Sequence, residues 1–302
     1  MIATHGLTKH YGSVKALREV SLDVRRGEVF GLLGPNGSGK TTAIRLMLGL
    51  LKPTAGRAEV AGFSSWTHSF EVRRHVSFVP GELRLYGHMT GLALLKFLSG
   101  LRDGAGLDRA VAIAETIMKL DLGRKIRTFS TGMKQKLALA QAFGDPVDVL
   151  ILDEPTSALD PSARQDVLDL VRLARSAGQT VVFSGHVLPE VEAVADRVAI
   201  MRLGRLMHVE DMHARRTDLR LVLLKWAGPP PETFPPELEL TIREKQGEAF
   251  LLEHRGAANP LLAWLATQDV SDLAIGVDDL KSLYDQYHGP HARHDKDEDT
   301  TR

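Results

Sequence analysis

The chain has 302 residues, enough for one large domain and a smaller one, and its 38 basic and 38 acidic residues cancel to a formal net charge of zero. A duplex-binding protein would carry a basic excess or stripe, so nucleic acid is not an expected partner. The absence of cysteine excludes disulfides and thiolate metal sites and fits a reducing compartment. The start, MIATHGLTKHYG, lacks the order of a secretory signal, and no apolar run approaches the roughly 20 residues that span a bilayer. The chain is therefore expected to be soluble; if it works at a membrane, another polypeptide supplies the span.

In chain order, apolar positions alternate through Val14, Ala16, Val20, Leu22 and Val24, which predicts strands with a partly solvated face. Val29 to Leu33 is a continuous apolar run and predicts a buried strand. A glycine-rich loop follows, then a helical pattern from Lys40 to Leu50, closed by Lys52-Pro53-Thr54-Ala55-Gly56. His75 to Val79 is the next strand candidate. Helical periodicity then dominates in Leu92 to Leu101, Leu107 to Leu120 and Gly132 to Phe143. Strand signals return at Val147 to Leu152, Thr180 to Phe183 and Val198 to Met201, with helices at Ser162 to Ala177 and Pro189 to Ala195 between them. Alternation of this kind implies a parallel sheet covered on both faces. Beyond about Glu210, strands are expected at Leu219 to Trp226, Leu238 to Arg243, Ala249 to His254 and around Leu273 to Gly276. Helices are expected at Ala258 to Thr267 and Val277 to Tyr287.

Gly34-Pro35-Asn36-Gly37-Ser38-Gly39-Lys40-Thr41, with Thr42 next, fits the phosphate-loop pattern of glycines, Lys and Thr at fixed offsets. Its glycines let backbone N–H groups converge on a phosphate, and the following helix aims its N-terminal dipole at the same anion. Lys40 is expected to neutralise phosphate oxygens, and Thr41 to ligate Mg²⁺. Further on, the strand ending at Leu152 delivers Asp153 and Glu154 at its C-terminal end, the edge where open α/β sheets bind ligands. Asp153 is expected to hold Mg²⁺ through water, and Glu154 to polarise the attacking water as a general base. An ordinary strand with an acidic turn is the competing reading, and the nearby phosphate loop counts against it.

These two elements, with Pro155-Thr156-Ser157-Ala158-Leu159-Asp160 directly after, resemble the nucleotide-binding subunit of an ABC transporter over about residues 1 to 215. The resemblance implies an α/β P-loop NTPase fold of ABC type. Its parallel core sheet is joined by an antiparallel β subdomain and by a helical subdomain inserted at about 83–146. A small α/β accessory domain is expected at 216–288 and a disordered tail at 289–302. The resemblance also implies ATP and Mg²⁺ as cofactors, with Lys40, Glu154 and His186 as catalytic residues. Two nucleotide-binding subunits, identical or different, would close around two ATP. They would drive a permease on a separate chain, which places this subunit on the cytoplasmic face of the cell membrane.

Further residues match family motifs. Ser130-Thr131-Gly132-Met133-Lys134-Gln135 resembles the signature that faces ATP across the dimer, although spacing alone equally fits Ser130 as a helix N-cap. His186 matches the switch histidine, Tyr11 the aromatic that stacks on adenine, and Ser157 to Asp160 the loop linking the two sites of the dimer. Two departures stand out. Thr131 replaces the usual Gly of the signature. Gly81 stands where the family places a Gln that touches Mg²⁺ and senses the membrane partner; Glu82, one residue on, is the candidate substitute in this coupling loop. The Met133-Lys134-Gln135 variant, the accessory domain and the ending Asp278-Asp279-Leu280-Lys281-Ser282-Leu283-Tyr284 resemble subunits of ABC-2 type exporters, a branch that includes drug and antibiotic export ATPases. A soluble ABC ATPase, or a nucleotide-sensing regulator without a permease, is the rival reading. His288, His291 and His294 are expected to be solvated tail residues, not a metal site.

Overall fold

The apolar run at Val29 to Leu33 forms strand β3 (Val29–Leu33), buried at all five positions. It lies inside the first of two compact units, Met1–Val209, while the second begins at Glu210. The computed structural model describes residues 1–213, 219–231, 233–277 and 280–288. The boundary expected at 215/216 and the tail at 289–302, with His291 and His294, lie outside the described residues.

β3 is part of a six-stranded sheet with β6 (Val76–Val79), β7 (Val149–Asp153), β8 (Thr180–Gly185), β9 (Arg197–Arg202) and β10 (Arg205–Asp211), in the order β10-β9-β3-β8-β7-β6. The β3–β9, β3–β8, β8–β7 and β7–β6 pairs are parallel. Leu33, Gly185, Asp153 and Val79 therefore end their strands at one edge of the sheet. Around this core, α1 (Lys40–Met47) buries Ala43, Ile44, Leu46 and Met47. It ends three residues before the expected Leu50, because Leu48 caps it and Gly49 turns at φ 64°.

A second, antiparallel sheet is formed by β1 (Ile2–Tyr11), β2 (Val14–Val24), β4 (Ala55–Val60) and β5 (Phe63–Ser64), in the order β2-β1-β4-β5. Its inner face joins the core through Ile2, Leu7, Leu17, Val20, Ala58 and Val60. A short helix, α2 (Ser69–Arg74), precedes β6, and its C-cap is His75, so that strand starts one residue later than expected. The helical insertion comprises α3 (Gly91–Gly100), α4 (Leu107–Ala112) and α5 (Thr131–Gly144). The expected helix Leu107 to Leu120 is α-helical only to Ala112. It widens into a π turn over Ile113–Ile117, which leaves Ile113, Ala114 and Met118 buried. α6 (Pro161–Ser176) and α7 (Leu188–Val194) follow β7 and β8.

The second unit carries an antiparallel sheet of β11 (Leu219–Trp226), β12 (Leu240–Gln246), β13 (Ala249–Arg255) and β14 (Val270–Val277), in the order β12-β13-β11-β14. Val222, Leu224, Trp226, Phe250 and Leu252 pack with Leu261 and Leu265 of α8 (Ala258–Leu265). The strand expected from Leu238 starts at Leu240, because Pro236–Leu238 winds into a 3₁₀ turn and Glu239 takes φ 44°. The helix expected from Val277 is α9 (Leu280–His288), since Val277 still belongs to β14. His288 closes α9 with its ring stacked on Tyr284 at 4.1 Å.

Candidate functional site

The phosphate-loop segment runs from the end of β3 into α1. A Cβ added to Gly34 would meet Met201 O at 2.4 Å and Ser38 Oγ at 2.6 Å, so no side chain fits there. Gly39 is the N-cap of α1 at φ 105°, a backbone that L side chains rarely adopt, and no side chain caps the helix. The first-turn N–H groups are thus left facing the loop, with their partial positive charge. Lys40 is 4% exposed; its Nζ donates to Gly34 O at 2.7 Å and Pro35 O at 3.2 Å. Ser38 Oγ is buried without a hydrogen-bond partner among the described residues. Pro35, Asn36 and Gly37 are exposed, and Thr41 and Thr42 are half-buried in the first turn. A buried ammonium, an uncapped helix start and a spare buried hydroxyl make an anion site.

β7 brings two carboxylates to the same edge. Asp153 is buried, and its two oxygens accept from Thr41 Oγ1 at 2.8 Å and from Ser184 Oγ at 2.6 Å. Glu154, the next residue, has φ 47°, a left-handed backbone that costs a non-glycine residue about 1–2 kcal/mol. The strained turn is held by its own N–H, which is shared between Ser184 O at 3.2 Å and Ser184 Oγ at 3.0 Å. It aims the Glu154 carboxylate between two bases: Oε1 lies 3.4 Å from Lys40 Nζ and Oε2 lies 3.3 Å from His186 Nδ1. Lys40, Thr41, Asp153, Glu154 and His186 are thus brought together. Ser184 is the residue that the motifs missed. Its signal was a lone hydroxyl at the end of the apolar run Thr180 to Phe183, paired in register with Asp153.

A Thr hydroxyl beside an Asp carboxylate fits Mg²⁺, a hard cation that takes few protein oxygens and keeps phosphate and water ligands. No cluster of three or more His, Cys, Asp or Glu that could cage a metal occurs among the described residues.

The other expected residues are placed elsewhere. Ser130 is the N-cap of α5 and accepts from Met133 N at 3.2 Å. Thr131 opens the helix. Gln135 is buried and donates from Nε2 to Pro155 O at 3.0 Å. A Cβ on Gly132 would meet Ala158 O at 2.7 Å, so the signature segment packs on the loop that follows Glu154. Among the described residues, none of these hydrogen bonds reaches Gly34 to Thr41. In that loop Ser157 and Ala158 are exposed, Leu159 is buried and Asp160 caps α6 through Ala163 N at 2.9 Å. This backbone N–H bond holds the Asp160 carboxyl below the usual carboxylate range. Tyr11 ends β1, is 46% exposed, and has Lys9 Nζ 5.1 Å from its ring centre. A Cβ on Gly81 would lie 3.4 Å from Asp153 O and 3.8 Å from Asp153 Oδ2, ordinary contacts, so there is room for a side chain beside the carboxylate. Glu82 is exposed.

Comparison with known proteins points to one family. Residues 17–157 match the ABC transporter family. The uncharacterized ABC transporter ATP-binding protein YdbJ of Bacillus subtilis (strain 168) is 38% identical over 203 residues, covering 67% of this chain and 66% of that protein. The bacitracin transport ATP-binding protein BcrA of Bacillus licheniformis is 34% identical over 211 residues, covering 68% of each. A solved ATP-binding subunit of an ABC transporter superposes with a TM-score of 0.64 at 28% identity, covering 72% of this chain and 92% of that one.

Proposed function

The chain belongs to the ABC transporter ATP-binding proteins, and on that premise we propose that it hydrolyses ATP to ADP and phosphate as one of two copies that close around two nucleotides. The observation that carries this reading is the strained Glu154, held between Lys40 and His186 beside the Thr41–Asp153 pair. The N–H groups of Gly34 to Thr42 and the Lys40 ammonium bind the β- and γ-phosphates. Thr41 and Asp153 would hold Mg²⁺, which when bound neutralises charge on the phosphates. Glu154 accepts a proton from the attacking water, and His186 holds the far oxygen of that carboxylate and adds a positioned polar group at the γ-phosphate. Tyr11 stacks on the base.

Ser130, Gly132 and their neighbours act on the nucleotide of the other copy, and Ser157 to Asp160 link the two sites. A second subunit is needed because one chain carries a single phosphate loop, a single carboxylate pair and a single signature, and a second copy of this chain can supply all three. No helix among the described residues is long and apolar enough to cross a membrane. The names of the relatives as ATP-binding proteins of transporters support a permease on a separate chain as the path of the transported molecule. That permease holds the subunit at the cytoplasmic face, and Glu82 takes part in sensing it in place of the Gln absent at Gly81. The signature variant, the accessory unit and the likeness to a bacitracin transport protein support the reading that the chain serves an ABC-2 type exporter.

The test is phosphate release by the purified chain. Glu154→Gln should lower turnover by about 100-fold or more while nucleotide still binds. Turnover at the wild-type rate would refute the role of Glu154.

A further inference from the structure

A third acid lies behind the site. Glu190, on α7, is 9% exposed and has no part in the chemistry above. Its Oε2 accepts from the Thr156 hydroxyl at 2.5 Å, and its Oε1 lies 3.4 Å from Nη1 of Arg164 on α6. Arg164 donates from Nε to Leu159 O at 3.0 Å. Thr156 and Leu159 flank the exposed pair Ser157-Ala158, and Leu159 N closes the turn on Thr156 O at 3.1 Å. The carboxylate therefore grips both shoulders of the loop, one directly and one through Arg164.

The other end of the connection is His186. Only Val187 separates it from α7, and α7 is held against the core: a Cβ on Gly31 of β3 would meet Val191 Cγ1 at 2.5 Å. His186 and Glu190 thus stand at the two ends of one short segment seated on β3. Glu154, Thr156, Arg164, His186 and Glu190 line one small cleft, so the hydrolytic acid and the loop clamp share its walls. A hydroxyl bonded to a carboxylate is a charge-assisted bond, stronger than a neutral one, and breaking it leaves buried polar groups unsatisfied.

We infer that Glu190 is a positioning residue that ties the His186 segment to the 156–159 loop, so that the state of the hydrolytic site governs how Ser157-Ala158 is presented to the second copy. The inference rests on the proposed role of that loop in linking the two sites.

The test uses the full chain and compares Glu190→Ala, Thr156→Val and Thr156→Ser. One measurement is the affinity of the monomer for a fluorescent ATP analogue. The others are kcat and, in a Glu154→Gln background, the ATP-driven dimer fraction. Glu190→Ala and Thr156→Val should leave monomer affinity within about twofold while lowering kcat and dimer formation by about tenfold, and Thr156→Ser should restore both. Wild-type kcat and dimer formation in the first two variants would overturn the inference. So would affinity, kcat and dimer formation all falling in parallel, because the acid would then only fasten α7 to the fold. Should Glu190→Ala fail to fold, the Thr156→Val and Thr156→Ser pair decides alone. A wild-type chain with neither turnover nor ATP-driven dimer would defeat the functional reading itself, and this inference with it; inert variants beside an active wild type bear on the clamp alone.

Discussion

Helices α1 and α5 both open on small residues, Ser38-Gly39 in one case and Ser130-Thr131-Gly132 in the other, yet their first turns are finished in opposite ways. α5 is complete within its own chain: Ser130 caps it, Gln135 is tied to Pro155 and Gly132 lies against Ala158. Its far end is anchored too, where Asp145 Oδ2 accepts from Ser77 at 2.8 Å and Gln141 at 2.7 Å. α1 has no side-chain cap, begins at a left-handed glycine, and has the Lys40 ammonium and an unpartnered Ser38 hydroxyl beside it. Polar groups that a fold leaves unsatisfied indicate where a ligand belongs. By that criterion α1 is the candidate binding site within a single chain, whereas α5 is a satisfied helix, and on the proposed function its exposed start would act only beside a second subunit.

This contrast can be broken at several points. The largest effect is expected for Lys40→Ala, which removes the buried cation: kcat/KM should fall by about 1000-fold and nucleotide affinity should weaken strongly in a calorimetric titration. Unchanged affinity would remove α1 as the phosphate site. Gly132→Ala comes next, because its methyl group must push against Ala158 O at 2.7 Å. A loss of stability of about 1–3 kcal/mol in denaturant melts is expected, with turnover reduced but monomer affinity for ATP unchanged. Ser130→Ala should cost about 1 kcal/mol from the lost cap and, again, leave monomer affinity alone. If affinity in the monomer fell, the signature would be acting within its own chain and the contrast would fail.

The smallest effect concerns the anchored end of α5. Burial pushes the Asp145 carboxyl above its usual range, against the opposing hydrogen bonds from Ser77 and Gln141 and the positive charge of Arg102. With its native pKa raised above the unfolded one, the folded state binds the proton more tightly. Stability therefore declines as pH rises from the ordinary carboxylate range, about 4, towards the raised value, and returns as pH falls. Asp145→Asn should flatten that slope in melting temperatures recorded against pH. An unchanged slope would assign it to another group.

The two elements most legible in the sequence were those in which local and global signals coincide. β3 and β7 are unbroken apolar runs, and each ends on residues of special chemistry, so Lys40, Thr41, Asp153 and Glu154 could be named from pattern alone. β1 and β4 were not legible as separate strands: Thr4, His5, Thr8 and Lys9 in β1, and Arg57 and Glu59 in β4, break the apolar alternation. The π turn at Ile113–Ile117 leaves no mark in a helical pattern, because it preserves the apolar positions. Ser184 and Glu190 were missed for a different reason. Their roles depend on β8 lying between β3 and β7, a non-local strand order that no spacing encodes. The strain at Glu154 was equally invisible, since a glutamate in the left-handed region follows from what surrounds it.

The central claim is that α1 loads ATP and that a second copy makes this binding productive. The most direct measurement is the molar mass of the Glu154→Gln chain by light scattering, with and without ATP and Mg²⁺. The account predicts a monomer alone and a stable dimer with ATP. A chain that binds ATP through Lys40 and remains a monomer would contradict it.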